Sequence, residues 1–365
     1  MLNNSESMSA AVHSCSGIVG YLCLLAEGTV GTLDSGVSSI AGFSEAGDIH
    51  GRLLRADPGS ATAVVGSLAD EVVWFGQMFT TLRTMVHEQD LMNVIGLDAV
   101  AGQVSAVAEN LPFAVEPESG VRPVHFHKPI VQVDGSDFLA VAGQVSAIDI
   151  GQMTASVDSW SDLSQAARAA ASELEAIIGQ VQAENEGEAV TAGVNRIEQT
   201  VAAARVFATN AESMAGRTAA FAGLTINASI FAAMDASVIS QIEDPAERKL
   251  AEKAAAARVQ RNLQQAVDAS LPSGGELISE FGLGAGGQDV EVGLNGHAGY
   301  TQGLDIEEVT WPEALVEAAA QGELGPGSFE VADGQIRPVA GVGMPPEQQG
   351  LFDRAVQASR EPTVV

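Results

Sequence analysis

By spacing alone, the residues best placed to do chemistry are His125 and His127, which flank Phe126 in a proline-rich stretch. In an extended segment, residues two apart point the same way, so both imidazoles would meet a metal ion from one side. No cysteine or acidic cluster stands nearby to complete a ligand set, and the pair reads as two surface histidines. The chain is rich in Ser and Asp, but it has no Gly-x-Ser-x-Gly elbow and no strand-to-helix framework to hold a nucleophile. The glycines from Gly282 to Gly287 follow no strand and open no helix, so they lack the context of a phosphate cradle. Met78, Met85 and Met92 recur every seven residues, which reads as core. No catalytic residue, metal or cofactor is expected.

Composition narrows the class further. The chain has 365 residues, 46% of them hydrophobic but only 5% aromatic, so its core is built from Ala, Val, Leu and Ile. That composition suits helix packing better than strands, which favour β-branched and aromatic residues. The net charge of −30, with Lys only at Lys128, Lys249 and Lys253, repels a phosphate backbone, so nucleic acid is excluded as a partner. Arg248, Lys249, Lys253, Arg258 and Arg261 form one basic exception, interleaved with Glu247 and Glu252 as on a solvated helix face. Cys15 and Cys23 in a helix would stand roughly 12 Å apart, too far for a mutual disulfide. The apolar run Gly17 to Ala26 has no Lys or Arg before it and is short for a bilayer, so a buried helix is expected, with no export signal of the common kind and no transmembrane segment.

Positioning falls to helices. From Ser9, Ile18, Leu22, Leu25, Leu33, Val37 and Ile40 are consistent with one helical face that gives out between Glu45 and Gly59. Val65, Leu68, Val72, Phe75, Phe79, Leu82 and Val86 step three and four without a miss, with Ser60 as N-cap. Leu163, Ala167, Ala170, Leu174, Ile177 and Val181 make a second seam. After the break at Ala183 to Glu188 comes a third, through Val190, Val194, Ile197, Val201, Ala204, Ala208 and Ala211. These side chains form the expected bundle interface. Phe221 to Ile242 reads as a separate helix, and Asp244 with Pro245 opens another that runs to about Ser270.

Between the halves, Pro112, Pro117, Pro123 and Pro129 make Leu111 to Asp134 an extended connector. An identical octapeptide, at Ala99 to Ala106 and Ala140 to Ala147, flanks it as two short helices. Two copies are too few for a solenoid. Beyond Pro272 the chain is Gly-rich and acidic, and it reads as a disordered tail with short helices at Trp311 to Gln321 and Pro346 to Ser359. The fold class is therefore all-α, an elongated bundle of two αα-hairpins plus additional helices.

Trp160-Ser161-Asp162-Leu163, opening an Ala-rich helix that is followed by a small-residue break and a second Ala-rich helix, resembles the PPE domain of actinobacterial type VII (ESX) secretion substrates. The match covers about Met153 to Ser270, with Trp160 and Leu163 on the Trp-x-x-Leu pattern. The N-terminal hairpin, with Ala69-Asp70-Glu71-Val72 in its second helix, resembles a PE domain. The order of parts resembles single-chain substrates of the EspB type: a PE-like hairpin over 1–95, a connector over 96–152, a PPE-like domain over 153–271 and a tail over 272–365. Three departures are visible. Tyr21 and Tyr300 are the only tyrosines and neither has an acid four residues on, so the Tyr-x-x-x-Asp/Glu signal is missing. Trp74-Phe75-Gly76 lies inside a heptad rather than at a hairpin tip, and Pro345-Pro346-Glu347 stands near the C-terminus.

The resemblance implies a non-enzymatic protein, cytoplasmic before export and then secreted or surface-bound by a non-Sec route. Its implied partners are the secretion machinery, a co-secreted helical protein or further copies of itself. The runner-up is an oligomeric scaffold at the membrane or envelope, and a hydrolase is the third class.

Overall fold

A computed structural model describes residues 5–29, 33–95, 117, 121, 124, 126–272, 329–332 and 335–338. The helices are α1 (Ser5–Gly28), α2 (Phe43–Gly51), α3 (Ala61–Ile95), α4 (Phe138–Ser146), α5 (Ile150–Glu184), α6 (Glu188–Ile239) and α7 (Pro245–Ser270). Two short strands, β1 (Phe329–Ala332) and β2 (Gln335–Pro338), pair antiparallel, and β1 lies beside α1. The protein is all-α in class, and its helices pack around one apolar core.

Local chemistry sets the helix starts. Ser60 Oγ accepts from Ala63 N–H at the head of α3, Asp137 caps α4 and Asp149 caps α5. Asp244 accepts from Ala246 and Glu247 N–H, with Pro245 in the first turn of α7, and these bonds hold its carboxyl below the ordinary range. The turn between α5 and α6 passes through Gly187 at φ 134°, a conformation that L side chains rarely adopt.

Helix pairing follows the seams. α1 lies along α3, and α5 lies along α6. The two pairs meet chiefly where α1 packs on α5, with α3 reaching both α5 and α6. Val65, Leu68, Val72, Phe75 and Phe79 are buried, and Leu82 is half-buried against the core. Leu163, Ala167, Leu174, Ile177, Val181, Val194, Ile197 and Val201 are buried as well. Val86 lies on α3, but its side chain is outside the described residues.

Three expectations need correction. The first helix does not continue to Ile40: it ends at Gly28, and Leu33, Val37 and Ile40 are buried from a loop containing a 3₁₀ turn at Ser35–Val37, which Asp34 caps. The stretch from Glu45 to Gly59 is mainly helical, with α2 running into a π turn at Arg52–Ala56. Its glycines serve close approach, because a Cβ on Gly51 would stand 1.9 Å from Leu33 O and one on Gly47 2.6 Å from Asp34 O. Phe221 begins no separate helix: the stretch to Ile239 is the end of α6, whose 52 residues span about 78 Å, and Ser240 to Ile242 lie in the turn after it. No proline interrupts it, and Gly216 and Gly223 cost it only propensity.

The connector has no regular secondary structure where it is described, and it is tied down. Val131 N–H donates to Gln264 Oε1 at 2.8 Å, Gln132 N–H to Ala41 O at 3.1 Å and Gln264 Nε2 to Pro129 O at 3.3 Å. The second octapeptide copy lies in α4 and the turn after it, while the first lies outside the described residues, as do the short helices expected in the tail. Among the described residues, two helices are long and apolar enough to cross a membrane by length and composition, α1 and Val190–Ile239 of α6, and α1 is mostly buried inside the protein.

Phe79→Ala and Leu174→Ala each remove a buried anchor from a seam and are expected to cost on the order of 2 to 5 kcal/mol in chemical denaturation. Unchanged midpoints for both would mean that the seams face no core.

Candidate functional site

Of the residues singled out for chemistry, His127 is exposed on the connector, and His125 lies outside the described residues. Among the described residues, no three His, Cys, Asp or Glu side chains converge as a metal site. Met78 is half-buried, with its thioether beside Gly193 of α6. Trp160 and Leu163 are both turned into the core, and the Trp160 indole N–H meets no acceptor among the described residues.

Polar groups inside the bundle join its halves. Glu71 on α3, wholly buried, accepts from Arg196 Nη2 on α6 at 2.8 Å. Asn185, at the α5–α6 turn, donates to Ser7 Oγ of α1 at 2.8 Å, while within the second pair Ser164 Oγ of α5 donates to Ala208 O of α6 at 2.8 Å. A buried ion pair is costly to break from one side, since the remaining charge stays desolvated. Sequence reasoning did not single out Glu71 as a core group, although its place beside Val72 in the apolar seam was a visible signal.

A second buried layer lies where α2 meets α6. Phe43 and Phe221 stack at 4.7 Å between centroids, and His50 stacks on Phe221 at 5.3 Å. His50 is fully buried and neither ring nitrogen has a partner among the described residues. Burial pushes the imidazole down to about 4, so it stays neutral near pH 7. Gly42, at φ 77°, admits the connector beside this layer, because a Cβ there would stand 2.1 Å from Ile130 O. On either side of α1 the effect of burial has the opposite sign: Asp70 is pushed up to about 6 by desolvation, and Asp162 to about 6 by desolvation and then by Asp158.

Among the described residues, most of the exposed large apolar side chains lie on the outer face of α6, chiefly near its C-terminus. Ile226, Ile230, Phe231, Met234 and Val238 are each between 42% and 63% exposed, far more than side chains of this kind in a core. Their spacing puts them on the side of the helix away from Ala228, Ala232 and Ile239, which are buried. Asp235, between the two faces, pairs with Arg258 of α7 at 2.8 Å. Sequence reasoning gave this stretch only as an apolar helix, because periodicity alone does not say which face is covered. Such a face binds by shape and apolar contact and offers no reacting group. Compared with protein families, characterised proteins and solved structures, the chain matches none.

His50 gives this region a pH signature. Its folded-state value lies below the ordinary 6.5, so its contribution is complete above about pH 6.5 and is lost as pH falls toward 4, by up to about 3 kcal/mol. Asp70 and Asp162, which bind protons more tightly when folded, work the other way over the same interval. Comparing wild type with His50→Phe by thermal unfolding isolates the histidine. The stability difference is expected to move in favour of the variant as pH drops from about 6.5 to 4.5, and parallel curves would place His50 in contact with solvent.

Proposed function

We propose that the protein is a non-enzymatic helical protein associated with type VII secretion, exported alone or with a helical partner. The observation that carries this reading is the docking of an N-terminal helix pair, α1 with α3, onto a second pair, α5 with α6, within one chain. That arrangement is in keeping with the PE-like hairpin and PPE-like region that the sequence resemblance implies. The burial of Trp160 and Leu163, the two residues on the Trp-x-x-Leu pattern, and the spending of Glu71, Arg196, Asn185 and Ser7 on contacts between the halves are in keeping with a packing role. A second reading, an oligomeric scaffold at the cell envelope, draws on the exposed apolar face of α6.

Without a Tyr-x-x-x-Asp/Glu signal of its own, the chain is expected to leave the cell with a partner that supplies one. The test is expression in an actinobacterial host carrying a type VII system, with and without the neighbouring secretion substrates, followed by analysis of the medium. Appearance in the medium only with those substrates is the expected result. Export that persists alone and stops on Tyr300→Ala would move the signal to the tail, and retention in the cytoplasm under every condition would overturn the proposal.

A further inference from the structure

We infer that the outer face of α6 between Gly216 and Val238 is a self-complementary surface on which a second copy of this chain docks antiparallel, with Asn227 at the two-fold axis. The inference deepens the scaffold reading and rests on this face rather than on export, so an exported monomer would sink it and leave export standing.

Charge gives the first argument. A second copy brings another −30, so two chains can approach closely only where acids are absent. From Thr218 to Met234, α6 carries no Asp, Glu, Lys or Arg, and Asp235 is turned aside to Arg258. The acid-free stretch and the exposed apolar face are the same place.

The second argument is the division of that face into two unlike halves. Toward the C-terminus stand the large side chains Ile230, Phe231, Met234 and Val238, all exposed. Toward the N-terminus, beyond Ile226 beside the centre, the exposed positions are small: Gly216, Ala219, Ala220 and Gly223. A Cβ built on Gly216 or Gly223 meets nothing within 4 Å, so this half is open. An antiparallel copy centred on Asn227 sets Phe231 over Gly223, Met234 over Ala220 and Val238 over Gly216, because each pair lies equally far on either side of residue 227. Three large-on-small pairs thus recur on both sides of the axis, with Ile230 falling beside the half-buried Leu224, and the surface is complementary to itself as an isologous interface requires. A parallel copy would set large on large.

Asn227 is the third argument. It is exposed, uncharged and the polar residue at the centre of the face, where its amide would meet its own mate across the axis. One polar side chain in an apolar helix seam fixes register and partner number at some cost in affinity. The stripe is about 33 Å long and one helix wide, at the small end of specific interfaces, so a reversible dimer is expected rather than a permanent one.

The test is sedimentation equilibrium on the full chain, with monomer expected near ~1 µM and dimer dominating near ~100 µM, a range that suits a small interface. Gly223→Leu is the sharpest variant. It enters open space in the monomer and improves helix propensity, so the fold stays intact, yet it fills the seat of Phe231 and is expected to weaken dimerisation by at least ~10-fold. If the face served a lipid surface or unspecific apolar association, the added leucine would strengthen binding instead, and that result overturns the proposal. Asn227→Cys should form a disulfide-linked dimer on mild oxidation, while Ser237→Cys, roughly 30 Å from its mate in this arrangement, should not. The native Cys15 is buried and Cys23 half-buried, so neither is expected to compete. Equal crosslinking at 227 and 237, a monomer at every concentration, or a monomer that floats with phosphatidylcholine vesicles would each contradict it.

Discussion

Everything in this fold depends on covering α1. Its only charged residues are Glu6 and Glu27, near the two ends, and every residue from Gly17 to Leu22 is buried. A stretch buried on all sides cannot be covered by one neighbour, so α3 covers one face of α1 and α5 another. Each large side chain fully buried this way contributes about 1.5 to 3 kcal/mol, which makes the second helix pair a requirement of the first rather than a separate domain. The cost shows in the carboxyls at the margins: Asp70 on α3 and Asp162 on α5 are both raised to about 6 by loss of water.

Much of this was legible from spacing. The seams through Val65 to Phe79, Leu163 to Val181 and Val194 to Val201 are buried as read, because a step of three and four leaves little choice of face. The Asp244-Pro245 helix start is equally local, being set by two hydrogen bonds within three residues. What was hidden depends on contacts distant in sequence. Gly47 and Gly51 look like turn residues until Asp34 and Leu33 are found against them, and Glu71 looks like a surface charge until Arg196 arrives from 125 positions away. The continuity of α6 was obscured by Gly216 and Gly223, which weaken a helix without ending it.

The exposed face of α6 was the least legible element. A sequence shows that Ile226, Ile230, Met234 and Val238 share a side of a helix, but only the packing shows that α7 takes the opposite side and leaves this one open. The resemblance to secretion substrates concerns the buried architecture, whereas the outer face of α6 concerns what the assembled protein meets. The two aspects are physically separate, since the first is held by groups such as Glu71 and Asn185 inside the bundle and the second by exposed side chains near the far end of α6.

The central claim, that the two helix pairs form one folding unit because α1 needs both, is tested most directly by native-state hydrogen exchange. Amides of Ile18 to Leu25 in α1 and of Leu174 to Val181 in α5 should open with one shared free energy, equal to that of global unfolding. Exchange of the α1 and α3 amides at a clearly lower free energy, with α5 and α6 still protected, would contradict it.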